Sequence, residues 1–363
     1  MGKKRVTIED LAKGMVVADD VYTSSDQLII ARKSIINDRL ISKLRMYNVP
    51  AINIVDVEKD TAPKSDEDVT VMTQTEKIKS TDEFKEFRKD FSKVTGTLQK
   101  CMERAAAKGM SEEDLREIEG VTAEILDTSM KMPHIFDMLH CMRDSSDTVY
   151  THSINVAVIS AVLGKWLRFS VQEQELLAMA GILHDIGKLL IPENILLKAY
   201  KLTDKEYAVV KSHTVKGYNL LKDLPIDNHI KYAALMHHER CDGSGYPTAV
   251  KGDKIDKYAK VIAIADVYDA MTSSRVYRES ICPFDVINNF EKDGLHLYEI
   301  EYIMTFLKNI ANTYIHSQVR LSNGVIGEII MLNNNKLAKP VIKAGTTFID
   351  LSKESDLKID EIL

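Results

Sequence analysis

Seven residues of this chain stand out for their chemistry: His152, His184, Asp185, His213, His237, His238 and Asp266. All of them interrupt segments that are otherwise apolar. An imidazole supplies a nitrogen ligand, and a carboxylate supplies oxygens that can bridge two cations. Such groups are costly to bury unless they are paired or hold a metal. A single buried histidine is usually satisfied by one hydrogen bond. Five imidazoles and two carboxylates on neighbouring apolar helices exceed that explanation. A mixed His/Asp set suits Fe, Mn, Zn or Ni and not the all-oxygen cages of Ca or Mg. Seven ligands with one bridging Asp are enough for two cations.

These residues need elements to position them. Leu176 to Leu183 reads as an apolar helical run that ends in His184-Asp185, then Ile186-Gly187-Lys188. Tyr150-Thr151-His152-Ser153 opens a helix with Val156, Ile159, Ala161 and Leu163 on its apolar face. Thr203-Asp204-Lys205-Glu206 is a capping box that starts the helix carrying His213. A helix beginning at Pro225 turns Ile230, Ala233, Ala234 and Leu235 inward and ends at His237-His238. The loop Glu239 to Pro247 follows, its glycines and proline fixing a bent, exposed backbone. Tyr258 to Met271 is predicted helical. Asp266 breaks its apolar face, and Asp269 lies one turn on, at i+3.

The chain divides by pattern into four parts. Residues 1–58 read as a small α+β module: strands near Met15–Val17 with Val21–Tyr22, Leu28–Ala31 and Ala51–Val57, and a helix from Arg39 to Met46. Residues 59–146 begin with a polar linker around Pro63 and become a helical connector. In it Phe84, Phe87, Phe91, Val94 and Leu98 recur at helical spacing, and Ser111 to Asp114 forms a capping box. Residues 147–316 carry the seven candidate ligands, closing with helices over Pro283–Lys292 and Leu297–Ile315. Residues 317–363 read as a small β segment, a meander around Gly324 and Gly327. The fold class expected is mainly α: an all-helical core with a small α+β N-terminal module and a short C-terminal β segment. His134, His140, His296 and His316 lack partner acids and read as ordinary histidines. The N-terminal or connector helices are expected to pair two copies into a homodimer.

Composition narrows the function. The chain has 363 residues, 45% hydrophobic and 28% charged, enough for a sizeable core. A formal net charge of -6 argues against a nucleic-acid polymer as partner. Cys101, Cys141, Cys241 and Cys282 form no CxxC pair and read as reduced thiols. No apolar run approaches the ~20 residues of a membrane span, and no signal peptide is visible. The expected location is cytoplasmic, with no membrane partner.

The motifs His184-Asp185-Ile186-Gly187-Lys188, His213, His237-His238-Glu239-Arg240 with Asp242-Gly243-Ser244-Gly245-Tyr246-Pro247, and Asp266-Val267-Tyr268-Asp269-Ala270-Met271-Thr272 resemble the HD-GYP domain. The resemblance covers about residues 147–316. It implies an all-helical, metal-dependent phosphodiesterase of the HD superfamily that hydrolyses cyclic di-GMP to pGpG or GMP. It implies that His152, His184 and Asp266 hold one cation, that His213, His237 and His238 hold the other, and that Asp185 bridges. Two divalent transition metals are expected, Fe or Mn ahead of Zn or Ni, with a bridging water acidified to hydroxide. Catalytic roles fall to Asp185 and Lys188. Substrate contacts fall to Lys188, Tyr246, Arg275, Arg278 and Asp269, the last also a supporting group behind the metals. Some members place a Glu one turn before the first His to hold a third metal. Here Thr148 stands there, which favours two. Alternatives are a catalytically weak cyclic-dinucleotide receptor, a phosphodiesterase for another cyclic dinucleotide such as cyclic GMP-AMP, or a hydrolase of other nucleotides.

Overall fold

The computed structural model describes residues 2–8, 10–12, 15–22, 28–30, 34, 36, 40–41, 44 and 49–56, and then 74–363 except 133, 143–147, 199 and 274–281. The chain forms two compact units, Met1–Thr70 and Val71–Leu363.

In the first unit, β1 (Gly2–Thr7) pairs antiparallel with β4 (Ala51–Asp56), from Gly2 opposite Asp56 to Thr7 opposite Ala51. A short pair, β2 (Val21–Tyr22) and β3 (Leu28–Ile30), lies in a separate sheet. Val6, Val17, Ile30, Ile36, Leu44, Ile52 and Ile54 make its apolar core. The strand expected near Met15–Val17 is a single bridge from Val17 to Ile54. β1 was not expected, because Lys3, Lys4 and Arg5 mask a strand whose apolar side rests on Val6. Of the helix expected over Arg39–Met46, Leu40, Ile41 and Leu44 are helical and the remainder lies outside the described residues.

The second unit is mainly helical, as expected. It runs α1 (Gln74–Ser80), α2 (Asp82–Lys108), α3 (Glu112–Ser129), α4 (Ile135–Met142), α5 (Val149–Trp166) and α6 (Val171–Leu183). It continues with α7 (Glu193–Leu196), α8 (Asp204–Lys211), α9 (His213–Leu221), α10 (Asn228–Met236), α11 (Lys257–Thr272), α12 (Pro283–Asn289) and α13 (Ile300–Thr313). A 3-10 turn, Ile186–Leu190, follows α6.

Helix α5 is buried on every face from Thr151 to Gly164, which makes it the centre of the unit. Its first turn is capped by Thr148, whose hydroxyl accepts from the Thr151 N–H at 3.1 Å. Helix α6 begins in a Ser170/Glu173 capping box and packs against α5 so closely that a Cβ on Gly181 would lie 2.5 Å from Ala157 Cα. The expected capping boxes at Ser111 and Thr203 are both present. The single helix expected to run from Thr203 past His213 is two helices. The Ser212 hydroxyl donates to the Val209 carbonyl at 2.6 Å, and the chain restarts at His213. Gly187 lets the 3-10 turn touch α9: a Cβ there would lie 2.0 Å from the His213 carbonyl oxygen.

The C-terminal segment is a five-stranded antiparallel sheet in the order β8-β7-β6-β5-β9. Its strands are β5 (Gln318–Leu321), β6 (Ile326–Met331), β7 (Val341–Ala344), β8 (Thr347–Asp350) and β9 (Ile359–Ile362). Val319, Leu321, Ile329, Ile342 and Ile359 join the same apolar core as the helices. The Glu291 carboxylate fastens the sheet by accepting from the N–H groups of Leu337 at 2.7 Å and Ala338 at 3.3 Å. The connector helices α1 to α4 share this core too, so the boundaries drawn at 146/147 and 316/317 fall inside one packed unit. Among the described residues, no helix is long and apolar enough to cross a membrane.

Candidate metal centre

The seven candidate ligands converge. His152 comes from the first turn of α5, and His184 and Asp185 from the end of α6. His213 starts α9, His237 and His238 follow α10, and Asp266 comes from the middle of α11. His184, Asp185, His213 and His237 are fully buried, with His152 and Asp266 nearly so.

Three rings are aimed by the main chain. His184 Nδ1 lies 2.7 Å from the Gly181 carbonyl, His213 Nδ1 2.6 Å from that of Val210, and His237 Nδ1 3.0 Å from that of Ala233. A carbonyl only accepts, so each Nδ1 is the protonated nitrogen and each Nε2 presents a lone pair. Those Nε2 atoms point at Asp185. Oδ2 is 3.3 Å from His184 and 3.7 Å from His152. Oδ1 is 3.3 Å from His213 and 3.6 Å from His237. The atoms fall into two groups able to hold a cation, one of His152, His184 and Asp185, the other of Asp185, His213, His237 and His238. Asp185 belongs to both, one oxygen to each side.

The donor set fits a metal. His184 Nε2 and Asp185 Oδ1 are buried without a hydrogen-bond partner, a costly arrangement for an imidazole and a carboxylate unless a cation lies between them. His213 Nε2 and His237 Nε2, both lone pairs, face each other at 3.2 Å, which a shared cation relieves. The electrostatics agree. Burial lowers the pKa of His213 to about 4 and lowers that of His237, and burial with the neighbouring His237 holds His238 well below the usual value. These rings are therefore neutral at pH 7, the form that ligates. Burial alone would raise the Asp185 carboxyl, but Lys188 and His184 pull it well below the usual range. The C-terminal ends of α6, α8 and α10 also turn their partial negative charge towards the cluster.

His152 is held differently. Its Nδ1 lies 2.7 Å from Asp269 and its Nε2 3.1 Å from Asp266. Burial opposes charge on this ring, yet the two carboxylates outweigh it and raise its pKa to about 10. A cation taking Nε2 has to displace that proton. Asn155, one turn along α5, donates to the other Asp269 oxygen at 3.0 Å. Sequence reasoning missed Asn155, although the rule that found His152, a polar residue on an apolar helix, points to it equally. Asp269 is buried with its carboxylate against His152 Nδ1, the place of a supporting group that orients the ring.

The remaining expected residues fall as follows. The Lys188 ammonium is hydrogen-bonded to Asp185 Oδ2 and is partly exposed. Tyr246 stacks on His238 with ring centroids 4.7 Å apart, and its N–H donates to the His238 carbonyl at 3.2 Å. Arg275 and Arg278 lie outside the described residues. The loop carrying Tyr246 is fastened by Glu239, which sequence reasoning left without a role. One oxygen of its buried carboxylate accepts from both the N–H and the hydroxyl of Thr248, each at 2.7 Å. Gly245 makes the fold-back possible, since a Cβ there would lie 2.4 Å from Glu239 Cα. His134 and His316, read as ordinary, lie outside the cluster.

A sequence model of the HD domain matches residues 104–298, more than half of the chain. The chain belongs to the HD-domain family. All seven clustered residues fall within the matched HD-domain stretch. The HD-domain chain is 30% identical over 221 residues to a cyclic di-GMP phosphodiesterase of Pseudomonas aeruginosa, covering 61% of this chain and 53% of that one. It is 38% identical over 165 residues to a 3'3'-cGAMP-specific phosphodiesterase of Vibrio cholerae, covering 46% and 37%. It is 34% identical over 200 residues to a cyclic di-GMP phosphodiesterase of Thermotoga maritima, covering 54% and 52%. The match thus spans about half the length of these curated relatives or less. Among solved structures, an HDG"Y"P protein from Bdellovibrio bacteriovorus shares the fold, with a TM-score of 0.50 at 14% identity, over 84% of this chain and 98% of that one.

Proposed function

We propose that this chain is a metal-dependent phosphodiesterase that opens a cyclic dinucleotide, cyclic di-GMP in the first place, to pGpG or GMP. The observation that carries the reading is Asp185, buried and shared between two converging sets of imidazole lone pairs. The relatives named above act by name on cyclic di-GMP and on 3'3'-cGAMP. The ligand set suits two divalent cations, Fe or Mn ahead of Zn or Ni. Bound there, such cations supply Lewis acidity, acidifying water and withdrawing charge from a phosphoryl group.

The chain's own residues do the rest. Asp185 ties the two halves of the site together through its two oxygens. The main-chain carbonyls of Gly181, Val210 and Ala233 hold three rings in one tautomer, so no reorganisation is needed when charge develops. Lys188, drawn in by Asp185, offers a point charge to a phosphoryl oxygen. Tyr246 presents a neutral aromatic face beside His238. Thr148 caps α5 with the side chain that would otherwise stand nearest a third cation, which supports two metals per chain. Arg275 and Arg278 are proposed contacts for the second phosphate on the strength of the motif.

Purified protein reconstituted with Mn or Fe, incubated separately with cyclic di-GMP and 3'3'-cGAMP and followed by chromatography of the products, tests the proposal. Turnover of cyclic di-GMP is expected. An Asp185→Ala variant should retain its helical circular dichroism, lose bound metal on elemental analysis and lose turnover. A folded Asp185→Ala protein with full activity would overturn the metal reading. Preference for 3'3'-cGAMP would keep the mechanism and change the substrate.

A further inference from the structure

Several cations of the second unit have carboxylate partners. Lys188 pairs with Asp185, Lys198 with Glu206, Lys257 with Glu173 and Lys260 with Glu299. Lys211, the last residue of α8, has no carboxylate partner among the described residues. Its ammonium lies over two aromatic rings, 5.0 Å from the centroid of Tyr207 and 5.7 Å from that of Tyr246. Tyr207 sits one turn earlier on α8 and is 48% exposed. Tyr246 in turn lies against the ligand rings, 4.7 Å from His238 and 6.4 Å from His213. A cation and two tyrosine faces therefore begin where the metal-binding cluster ends. Burial pushes the Tyr246 phenol pKa up, so its ring stays uncharged.

We propose that Lys211 and Tyr207 form, with Tyr246, the subsite for the half of the dinucleotide that is not being cleaved. The inference rests on the phosphodiesterase reading above. A cyclic dinucleotide carries two phosphodiesters and two purines, and the cluster can act on only one phosphodiester at a time. The second phosphate needs a cation and its base needs a flat apolar face. Lys211 supplies a cation in addition to the motif arginines Arg275 and Arg278, and the tyrosines supply the face. An ammonium resting on one exposed and one half-buried ring is weakly held and can exchange that contact for a stronger charge-assisted bond to phosphate. Aromatic faces then become available for a base, with which stacking is tolerant of base identity. The Lys188 ammonium is already engaged at the reacting side, so Lys211 serves a different phosphate.

Steady-state kinetics on the metal-loaded full chain tests this with two substrates. Cyclic di-GMP fills the whole site, whereas bis(4-nitrophenyl) phosphate brings one phosphodiester and no second phosphate. Lys211→Met should raise KM for cyclic di-GMP roughly tenfold or more, because a charged contact is lost. It should leave hydrolysis of bis(4-nitrophenyl) phosphate and the metal content unchanged. Lys211→Arg should restore most of the loss, and Tyr207→Ala should act in the same direction as Lys211→Met while Tyr207→Phe does not. Calorimetric titration with pGpG, which is bound without ring opening, should rank the variants in the same order. Unchanged KM and pGpG affinity in Lys211→Met and Tyr207→Ala would overturn the proposal, and so would equal losses on both substrates. If the unmodified protein cleaves bis(4-nitrophenyl) phosphate but no cyclic dinucleotide, the cyclic-dinucleotide reading falls and this inference falls with it.

Discussion

Asp269 touches no candidate cation directly, yet it decides how His152 points. Its carboxylate lies 2.7 Å from His152 Nδ1, and Asn155 steadies it from the other side. Removing such an orienting partner typically weakens metal affinity 10- to 100-fold. Asp269→Ala should therefore lower affinity at the His152 side by roughly that factor, with the Asp185–His213–His237–His238 side retained. Competitive chelation, read as metal bound per chain, checks it: two equal affinities in the variant would show that His152 needs no such support. The seven clustered residues were legible in the sequence because each is a polar group set into an apolar helix. Lys211, Tyr207 and Glu239 were not. A lysine and a tyrosine one turn apart on a polar helix look like solvated surface, and only the fold-back of the 239–248 loop brings Tyr246 to them.

At the scale of elements, the contact between the 3-10 turn and α9 brings Asp185 to His213. Gly187 permits it, and an added Cβ would collide with main chain on α9, which cannot swing away as a side-chain tip can. Gly187→Ala should push the turn from α9, lengthen the Asp185–His213 separation and strip metal from that side, while helix content by circular dichroism barely changes. Normal metal loading in Gly187→Ala would show that the turn can shift at no cost to the site. Helix positions followed well from periodicity and caps: Thr203/Glu206 and Ser111/Asp114 close their boxes as read. Two features did not follow. The break at Ser212 depends on a hydroxyl turning back to its own helix, a choice available to any helical serine. The strand Gly2–Thr7 gains its meaning only from its partner Ala51–Asp56, which is fifty residues away in sequence.

For the whole molecule, the cluster is also a matter of stability. Four buried imidazoles, the half-buried His238 and two buried carboxylates are brought together at the meeting point of α5, α6, α9, α10 and α11. A cation that binds the folded chain and not the unfolded one adds about 2.7 kcal/mol when present at a hundred times its Kd. Stripping metal with a chelator should therefore lower the thermal transition of the 71–363 unit by several degrees, read by calorimetry, and leave that of the first unit in place. An unchanged transition of the 71–363 unit after complete removal would mean that the metal-free cluster is no less stable. A boundary was expected from the polar stretch around Pro63, and the contacts divide the chain between Thr70 and Val71. That the connector and the C-terminal sheet share one core with the ligand-bearing helices was not legible, since the contacts of Glu291 and Val319 are made only in three dimensions.

The manner in which the rings are held has an evolutionary side. Three of them are oriented by the carbonyls of Gly181, Val210 and Ala233, and no single-residue replacement other than one that breaks the helix removes a carbonyl. His152 alone is oriented by side chains, Asp269 and Asn155. One end of the centre is thus insulated against genetic drift, and the other is open to it. Descendants of this chain can retune one cation's grip by single substitutions at 155 or 269, with the opposite end left as a fixed inheritance.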